Sequence, residues 1–522
     1  MESSWAQSCN WSMHESISRP GSALPLPRLL AFALVYFLAW STLPALLGHS
    51  FPLDVVESLS WGKEWQWGYY KHPPLAPIVL NIFYEGLGKF GPYALSQLCI
   101  ALTLTLVWLT GRRMMDAQRA VLGVVLTMGV AYYNFPAIEF NHNIAQMPIW
   151  AALGYLFVAA LQENKLRYWI GLGVVAGLGM LTKYSIAVLL LTLGLYLLGS
   201  AQYRKVLLRP GPWLAVCLMA LIFAPHMLWL KASQWLPFAY ASGRALSETG
   251  DPRLEALGFP LTQLAAHLPL LGVLAWAWWR SRRGLLGGAV DAERRWHASS
   301  PSLLLVLTLL PGLIVMLLGV LLGLRLRDMW GSPMWAFSGL LVMALLPDVR
   351  LPSLQPKLLR GIAVWLVLVS IFMVLYMSHG AQLRNRPGRV DWPAAAIAKQ
   401  AEQAWGMHST CRLDTVAGDY WLAGLLSAYS AARPSVLIDG DPRFSPWVDV
   451  RRLKQHGALW VWQEKTQNEH PQPPEPLKSL SRDESLHTVE GAWKITWPHA
   501  PSSAPLELKW RAYVPEHCLL VK

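Results

Sequence analysis

Charge is what this 522-residue chain has least of: Asp, Glu, Lys and Arg together make 14% of it, against 54% hydrophobic residues. So small a share, in a chain with repeated Leu-rich runs of membrane-spanning length, excludes a large soluble protein and reads as a polytopic membrane protein. Cysteine is scarce too. Cys9, Cys99, Cys217, Cys411 and Cys518 show no C-x-x-C spacing, which leaves no thiol metal or redox motif. A basic stripe on a soluble region is also missing. The net charge of +13 comes from short clusters between apolar runs, so the clusters read as topology signals and nucleic acid is not expected as a partner. Residues 1–27 lack the compact basic-then-apolar pattern of a cleaved signal peptide, so the first apolar run is expected to stay as an anchor.

Tryptophan, by contrast, is plentiful at 28 residues, as suits a protein with much interfacial surface. Run length predicts about eleven spans: 29–47, 93–110, 120–135, 146–161, 169–181, 184–198, 212–230, 261–279, 303–324, 334–346 and 362–377. The two runs that meet at 181–184 read equally as one long bent helix. The apolar piece 77–87 spans roughly 17 Å as a helix, too short to cross, and is expected to lie half-buried beside the membrane.

With the N-terminus in the cytoplasm, the clusters Arg112, Arg113 and Arg119, then Arg204, Lys205 and Arg209, then Arg280, Arg282 and Arg283 all fall inside, as the positive-inside rule asks. The expected organisation is a cytoplasmic tail (1–28), a transmembrane domain (29–377) with a long outer loop (49–91), and an extracytoplasmic domain (378–522). That last part is polar and Pro-rich. Runs at 435–438, 458–462, 493–497 and 506–513 read as strands, and 391–405 reads as a helix, so a small α/β domain is expected. Cys411 and Cys518 either bridge there or remain as two buried thiols.

The loop stretch 53–75, LDVVESLSWGKEWQWGYYKHPPL, is too polar to span and rich in interfacial aromatics. Asp54 and Glu57 share a helix face at i, i+3, and Lys71-His72-Pro73-Pro74 closes the stretch. It reads either as a site presenting two carboxylates, a lysine and a histidine, or as an amphipathic connector. Other polar groups are expected at the same membrane face. They are Glu139 and Asn143 in FPAIEFNHN, Lys183 and Tyr184 after GLGMLT, His226, and Arg325 and Arg327 in RLRDMWGSPMW. A site spread over several loops at one leaflet suits an amphiphile with its tail in the bilayer and a charged head at the surface. Without chemistry, the same polar residues would suit a lipid or glycan transporter or flippase, but no inverted repeat is visible.

An anchor, an Asp-led interfacial helix, K-H-P-P-L and G-L-x-x-L-T-K in that order resemble the GT-C-type membrane glycosyltransferases. These are the dolichyl-phosphate-mannose–protein mannosyltransferases of glycosyltransferase family 39 and the bacterial lipid A aminoarabinose transferases. The resemblance covers residues 29–230 well. It implies an enzyme of the bacterial inner membrane that takes a sugar from a polyprenyl phosphate and transfers it on the outer face, with inversion, to a lipid, glycan or protein acceptor. It implies Asp54 as the catalytic carboxylate, and Glu57 stands nearest to the second acid that the family carries directly after it. Lys183 matches the lysine expected at the donor phosphate, with Lys71 and His72 as further phosphate ligands. Glu139, Asn143, Tyr184 and Arg327 are expected at the substrate. By residue type alone, a divalent metal ion is compatible with Asp54, His72 and His226, although no spacing demands it.

Overall fold

The computed structural model describes residues 26–247, 250–281, 300–347, 350–463, 472–473, 475–480 and 485–520. The expected tail 1–28 lies outside them apart from its last three residues. The membrane part runs α1 Leu26–Leu47, α2 Leu53–Gly62, α3 Leu75–Leu87, α4 Gly91–Met114, α5 Ala117–Thr127, α6 His142–Glu163 and α7 Leu166–Thr182. It continues with α8 Ile186–Gly199, α9 Pro210–Ala232, α10 Leu236–Ser247, α11 Pro252–Ser281, α12 Ser300–Leu322, α13 Ser338–Leu345 and α14 Leu351–Leu383.

Seven helical stretches among the described residues are long and apolar enough to cross a membrane; α7 and α8 are apolar but shorter. The chain is an integral membrane protein. Each of the eleven expected spans has a helix, but two are half-length. The run at 120–135 is helical only to Thr127, then turns by 85° into 3₁₀ turns that include Pro136. The run at 334–346 keeps only the eight residues of α13. These two pieces pack on each other through glycine, so closely that a Cβ at Gly339 would lie 1.9 Å from the Gly123 carbonyl oxygen. The 181–184 junction is a true break: Lys183 is extended and ends α7. Gly88, at φ +55°, separates the short α3 from α4.

Beyond α14 the chain folds as α15 Ala394–Gly406, β1 Thr415–Gly418, α16 Leu422–Tyr429, β2 Ser435–Ile438, α17 Val450–His456, β3 Ala458–Trp462, α18 Glu475–Leu480, β4 Leu486–Ile495 and β5 Leu506–Pro515. The sheet order is β2-β1-β3-β5-β4. β1 lies parallel to both β2 and β3, while β5 is antiparallel to β3 and β4. Cys411 and Cys518 form a disulfide that ties the entry of β1 to the end of the fold.

This sheet region is seated on the first loop. His49 and Ser50 donate their backbone N–H groups to the Val390 carbonyl at 3.0 and 3.2 Å. The Tyr84 hydroxyl donates to the Ala428 carbonyl at 2.6 Å, and Arg433 donates to Asn81 Oδ1 at 3.0 Å. Gly424 of α16 leaves room for Val56 of α2, whose Cγ1 would stand 2.7 Å from a Cβ there. Trp61, Tyr69 and Tyr70 are buried in one apolar cluster with Ile397, Val436 and Val461 of the sheet region. Burying aromatic side chains of this kind contributes about 1.5–3 kcal/mol each, enough to hold a polar loop between two folded layers.

Candidate active site

Pro52 fixes an extended backbone just before α2, and Asp54 then falls in the first turn, where the helix dipole favours a carboxylate. The backbone N–H of Asp54 donates to Glu139 Oε1 at 2.9 Å. Glu139 reaches this point because the 3₁₀ turn Phe135–Ile138 ends there and Asn141 starts α6 by accepting from the N–H groups of Asn143 and Ile144, at 2.9 and 3.1 Å. Burial, and then the charges of Glu139 and Glu57, push the Asp54 carboxyl up to about 7. Burial raises Glu139 as well, while Arg389 opposes that rise.

Lys183 is one of two lysines whose charge acts on Asp54. It leaves the helical path between α7 and α8, its Nζ donates to Asn143 Oδ1 at 2.5 Å, and the Trp330 ring lies 5.4 Å away. Gln146 holds the turn by donating to the Lys183 carbonyl at 2.7 Å, and Ser185 donates to Gln146 at 2.9 Å. Burial pulls the ammonium down to about 8, with the Asp54 charge working the other way. Asp54 and Lys183 thus lie close enough for each charge to act on the other.

Glu57 does not stand free beside Asp54 as a second catalytic acid. It accepts from the Tyr70 hydroxyl at 2.8 Å and from Lys71 Nζ at 2.5 Å, so the carboxylate neighbouring Asp54 by hydrogen bond is Glu139. Lys71, expected at a donor phosphate, is held by that same ion pair. His72 is half-buried with its ring centroid 4.0 Å from that of His142, and desolvation holds its pKa well below the usual histidine range, so it is neutral. The Nε2 of His142 is buried without a hydrogen-bond partner.

The metal pair expected from sequence does not assemble. His226 donates Nδ1–H to the Trp67 carbonyl and accepts the Tyr184 hydroxyl proton on Nε2 at 2.8 Å, which leaves no lone pair for a metal. Among the described residues, the one close grouping of possible ligands is Cys411, His517 and Cys518, and its two sulfurs are spent on the disulfide. The donor set therefore does not fit a metal at His72 and His226. Tyr184 serves as the partner that orients His226.

Arg327 precedes the 3₁₀ turn Asp328–Gly331, and the side chain this turn brings to Lys183 is Trp330. Trp330, Arg389, Tyr240 and Tyr420 contribute here without having been singled out in the sequence, although Trp330 stood inside the polar stretch RLRDMWGSPMW, and His142 belongs to the polar stretch FPAIEFNHN.

The geometry now allows comparison with known proteins. Residues 71–229 match the family described as dolichyl-phosphate-mannose-protein mannosyltransferase. The structure of ArnT from Cupriavidus metallidurans bound to undecaprenyl phosphate superposes with a TM-score of 0.60 over 93% of this chain and 97% of that one, at 16% identity. The chain resembles the GT-C-type membrane glycosyltransferases. Two lipopolysaccharide core galacturonosyltransferases of Rhizobium johnstonii, RgtB and RgtA, are each 23% identical, over 83% and 82% of this chain and 86% and 85% of their own lengths. The fold is GT-C-like: a polytopic helical membrane domain with a small C-terminal sheet region.

Proposed function

We propose that the chain is an inverting glycosyltransferase that moves a sugar from a polyprenyl-phosphate carrier to an acceptor on the outer face of the membrane. The observation that carries this reading is that the segment 139–143 holds both groups in a GT-C-like fold: Glu139 accepts the Asp54 backbone N–H at 2.9 Å, and Asn143 accepts from Lys183 Nζ at 2.5 Å. Asp54 takes the proton from an acceptor hydroxyl or amine, which is a weak nucleophile until that proton is removed. The acceptor attacks the anomeric carbon as its bond to the phosphate oxygen breaks, and a single displacement inverts that centre. The electron pair leaves with the polyprenyl phosphate, whose charge Lys183 neutralises. The carboxylates Asp54 and Glu139 stabilise the oxocarbenium-like state between. Neutral His72 supplies an N–H at the same wall.

The N-terminus lies in the cytoplasm in this reading, and residues 378–522 lie outside with the loop 49–91 they cover. The basic clusters between spans support that orientation. RgtA and RgtB are named for galacturonosyl transfer to lipopolysaccharide core, which makes polyprenyl-phosphate galacturonic acid the first donor and a core glycan the first acceptor to try. The test is a purified preparation in lipid nanodiscs, offered labelled sugars on undecaprenyl phosphate with core glycan, lipid A or protein acceptors. Label transfer from one donor, with inverted configuration in the product, supports the reading. A preparation that binds and moves lipid-linked sugars without ever breaking the sugar–phosphate bond overturns it in favour of transport.

A further inference from the structure

Lys71 occupies an unusual place for a lysine beside a candidate phosphate site. Its Nζ is 2.5 Å from Glu57, and its side chain is only 11% exposed. Three tyrosine rings surround the ammonium: Tyr70 at 5.1 Å, Tyr240 at 5.2 Å and Tyr420 at 4.6 Å. Each ring comes from a different part of the fold. Tyr70 belongs to the loop after α2, Tyr240 to α10, and Tyr420 to the turn after β1. Phe444, in the loop after β2, stacks on Tyr70 at 4.4 Å and closes the cluster from the sheet side. An ammonium satisfied by a carboxylate and ringed by aromatic faces is already neutralised and desolvated, which leaves it poorly placed to bind a second anion.

We propose that Lys71 is a positioning residue. It holds Glu57 and clamps α10 and the carboxyl ends of the parallel strands onto α2, so that the C-terminal sheet region is a working part of the site and Lys71 is no ligand of the donor phosphate. This rests on the transfer reading above. The charge balance extends the geometry. Asp54 is faced by Glu57 on its own helix, Glu139 from the loop before α6, Lys71 from the loop after α2 and Lys183 from the α7–α8 break. The Glu57–Lys71 pair is faced in turn by Tyr70, Tyr240, Tyr420, His72 and His142, and by Asp419 and Asp439 at the ends of β1 and β2. Removing Lys71 alone leaves the Glu57 charge uncompensated near Asp54, with only the Tyr70 hydroxyl still donating to it. Removing both charges restores the balance.

The experiment compares Lys71→Met, Lys71→Arg and the double variant Lys71→Met/Glu57→Gln in the full-length protein. Three readouts are taken: binding of undecaprenyl phosphate alone, kcat against pH, and backbone hydrogen exchange. Lys71→Met should lower kcat by about a hundredfold, the size of effect that an ångström of misplacement produces, with undecaprenyl phosphate affinity kept within about twofold. It should move the acidic limb of the pH profile upward, because Asp54 loses a nearby cation and gains an unpaired anion. The double variant should bring the limb back, and Lys71→Arg should keep most of the rate. Exchange should rise in α10 and at 419–429 in Lys71→Met but not in Lys71→Arg, a result that does not depend on activity. A large loss of undecaprenyl phosphate affinity in Lys71→Met would overturn the proposal by making Lys71 a phosphate ligand. Unchanged exchange in α10 and at 419–429 would overturn it too. A wild-type protein that transfers nothing would count against the transfer reading instead, and the exchange arm would still decide the clamp.

Discussion

Glu139 accepts the backbone N–H of Asp54 at 2.9 Å across 85 residues of sequence, binding the second polar loop to the first turn of α2. That bond places two half-buried carboxylates in one corner. It keeps Asp54 protonated to a higher pH than a surface aspartate, by burial first and by the neighbouring charge second.

Replacing Glu139 separates the two effects. Glu139→Gln keeps an oxygen that accepts the Asp54 N–H but removes the charge, so Asp54 should lose its proton at lower pH and the acidic limb of the rate profile should move down. Glu139→Ala removes the acceptor as well. A buried N–H left unpaired costs about 1–3 kcal/mol, so this variant should also unfold more readily in a thermal assay in detergent. Equal stability of the two variants would show that the hydrogen bond to the Asp54 N–H contributes nothing, and an acidic limb that moves in neither would show that the charge of Glu139 does nothing.

The pH dependence of the wild type follows from the two opposed groups. Asp54 must be deprotonated to act as a base, so kcat/KM should climb as pH rises through about 7. Lys183 must stay protonated to neutralise the leaving phosphate, so kcat/KM should fall as pH rises past about 8. The expected profile is a narrow bell, read from initial rates at substrate well below KM. A rate flat from pH 6 to pH 9 would contradict both assignments.

Lys183→Met should lower kcat/KM by roughly a hundredfold to a thousandfold, the cost of losing one fixed charge that stabilises a departing anion. Lys183→Arg should recover part of that loss, because the charge remains while the contact with Asn143 changes. A Lys183→Met variant with wild-type kcat/KM would remove Lys183 from the chemistry.

The meeting of α5 and α13 depends on glycine. Gly339→Ala puts a methyl 1.9 Å from the Gly123 carbonyl oxygen, and that backbone atom has little room to retreat. Overpacking of this kind costs about 1–3 kcal/mol, measurable as a lowered unfolding temperature in detergent with the site residues unaltered. Unchanged stability would mean that the two half-length helices do not pack so closely.

Much of this was legible in the chain, and the reasons differ by element. The spans stand out because uninterrupted apolar runs leave few alternatives, and the strands Ser435–Ile438 and Ala458–Trp462 because short β-branched and aromatic runs sit between turn residues. β1 was not visible: Thr415–Gly418 is short and wholly buried, so it shows no alternation and ends in glycine. The length of α5 was misread, because apolar residues continue past Thr127 into 3₁₀ turns that a run-length reading joins to the helix. Asp54 and Lys183 could be named from their local sequence and from the resemblance it carries. The division of labour between Glu57 and Glu139 could not, because it depends on which carboxylate Lys71 claims. The rings that flank the Lys71 ammonium include Tyr240 and Tyr420, more than 160 residues away along the chain.

The central claim is that Asp54 is the base, and Asp54→Asn tests it most directly. Wild type and variant would be compared in nanodiscs for undecaprenyl phosphate binding, thermal stability and single-turnover sugar transfer. The account predicts unchanged binding and stability, with transfer slowed by about a hundredfold to ten-thousandfold, the usual contribution of a general base. Transfer at the wild-type rate by a folded, donor-binding Asp54→Asn protein would contradict it.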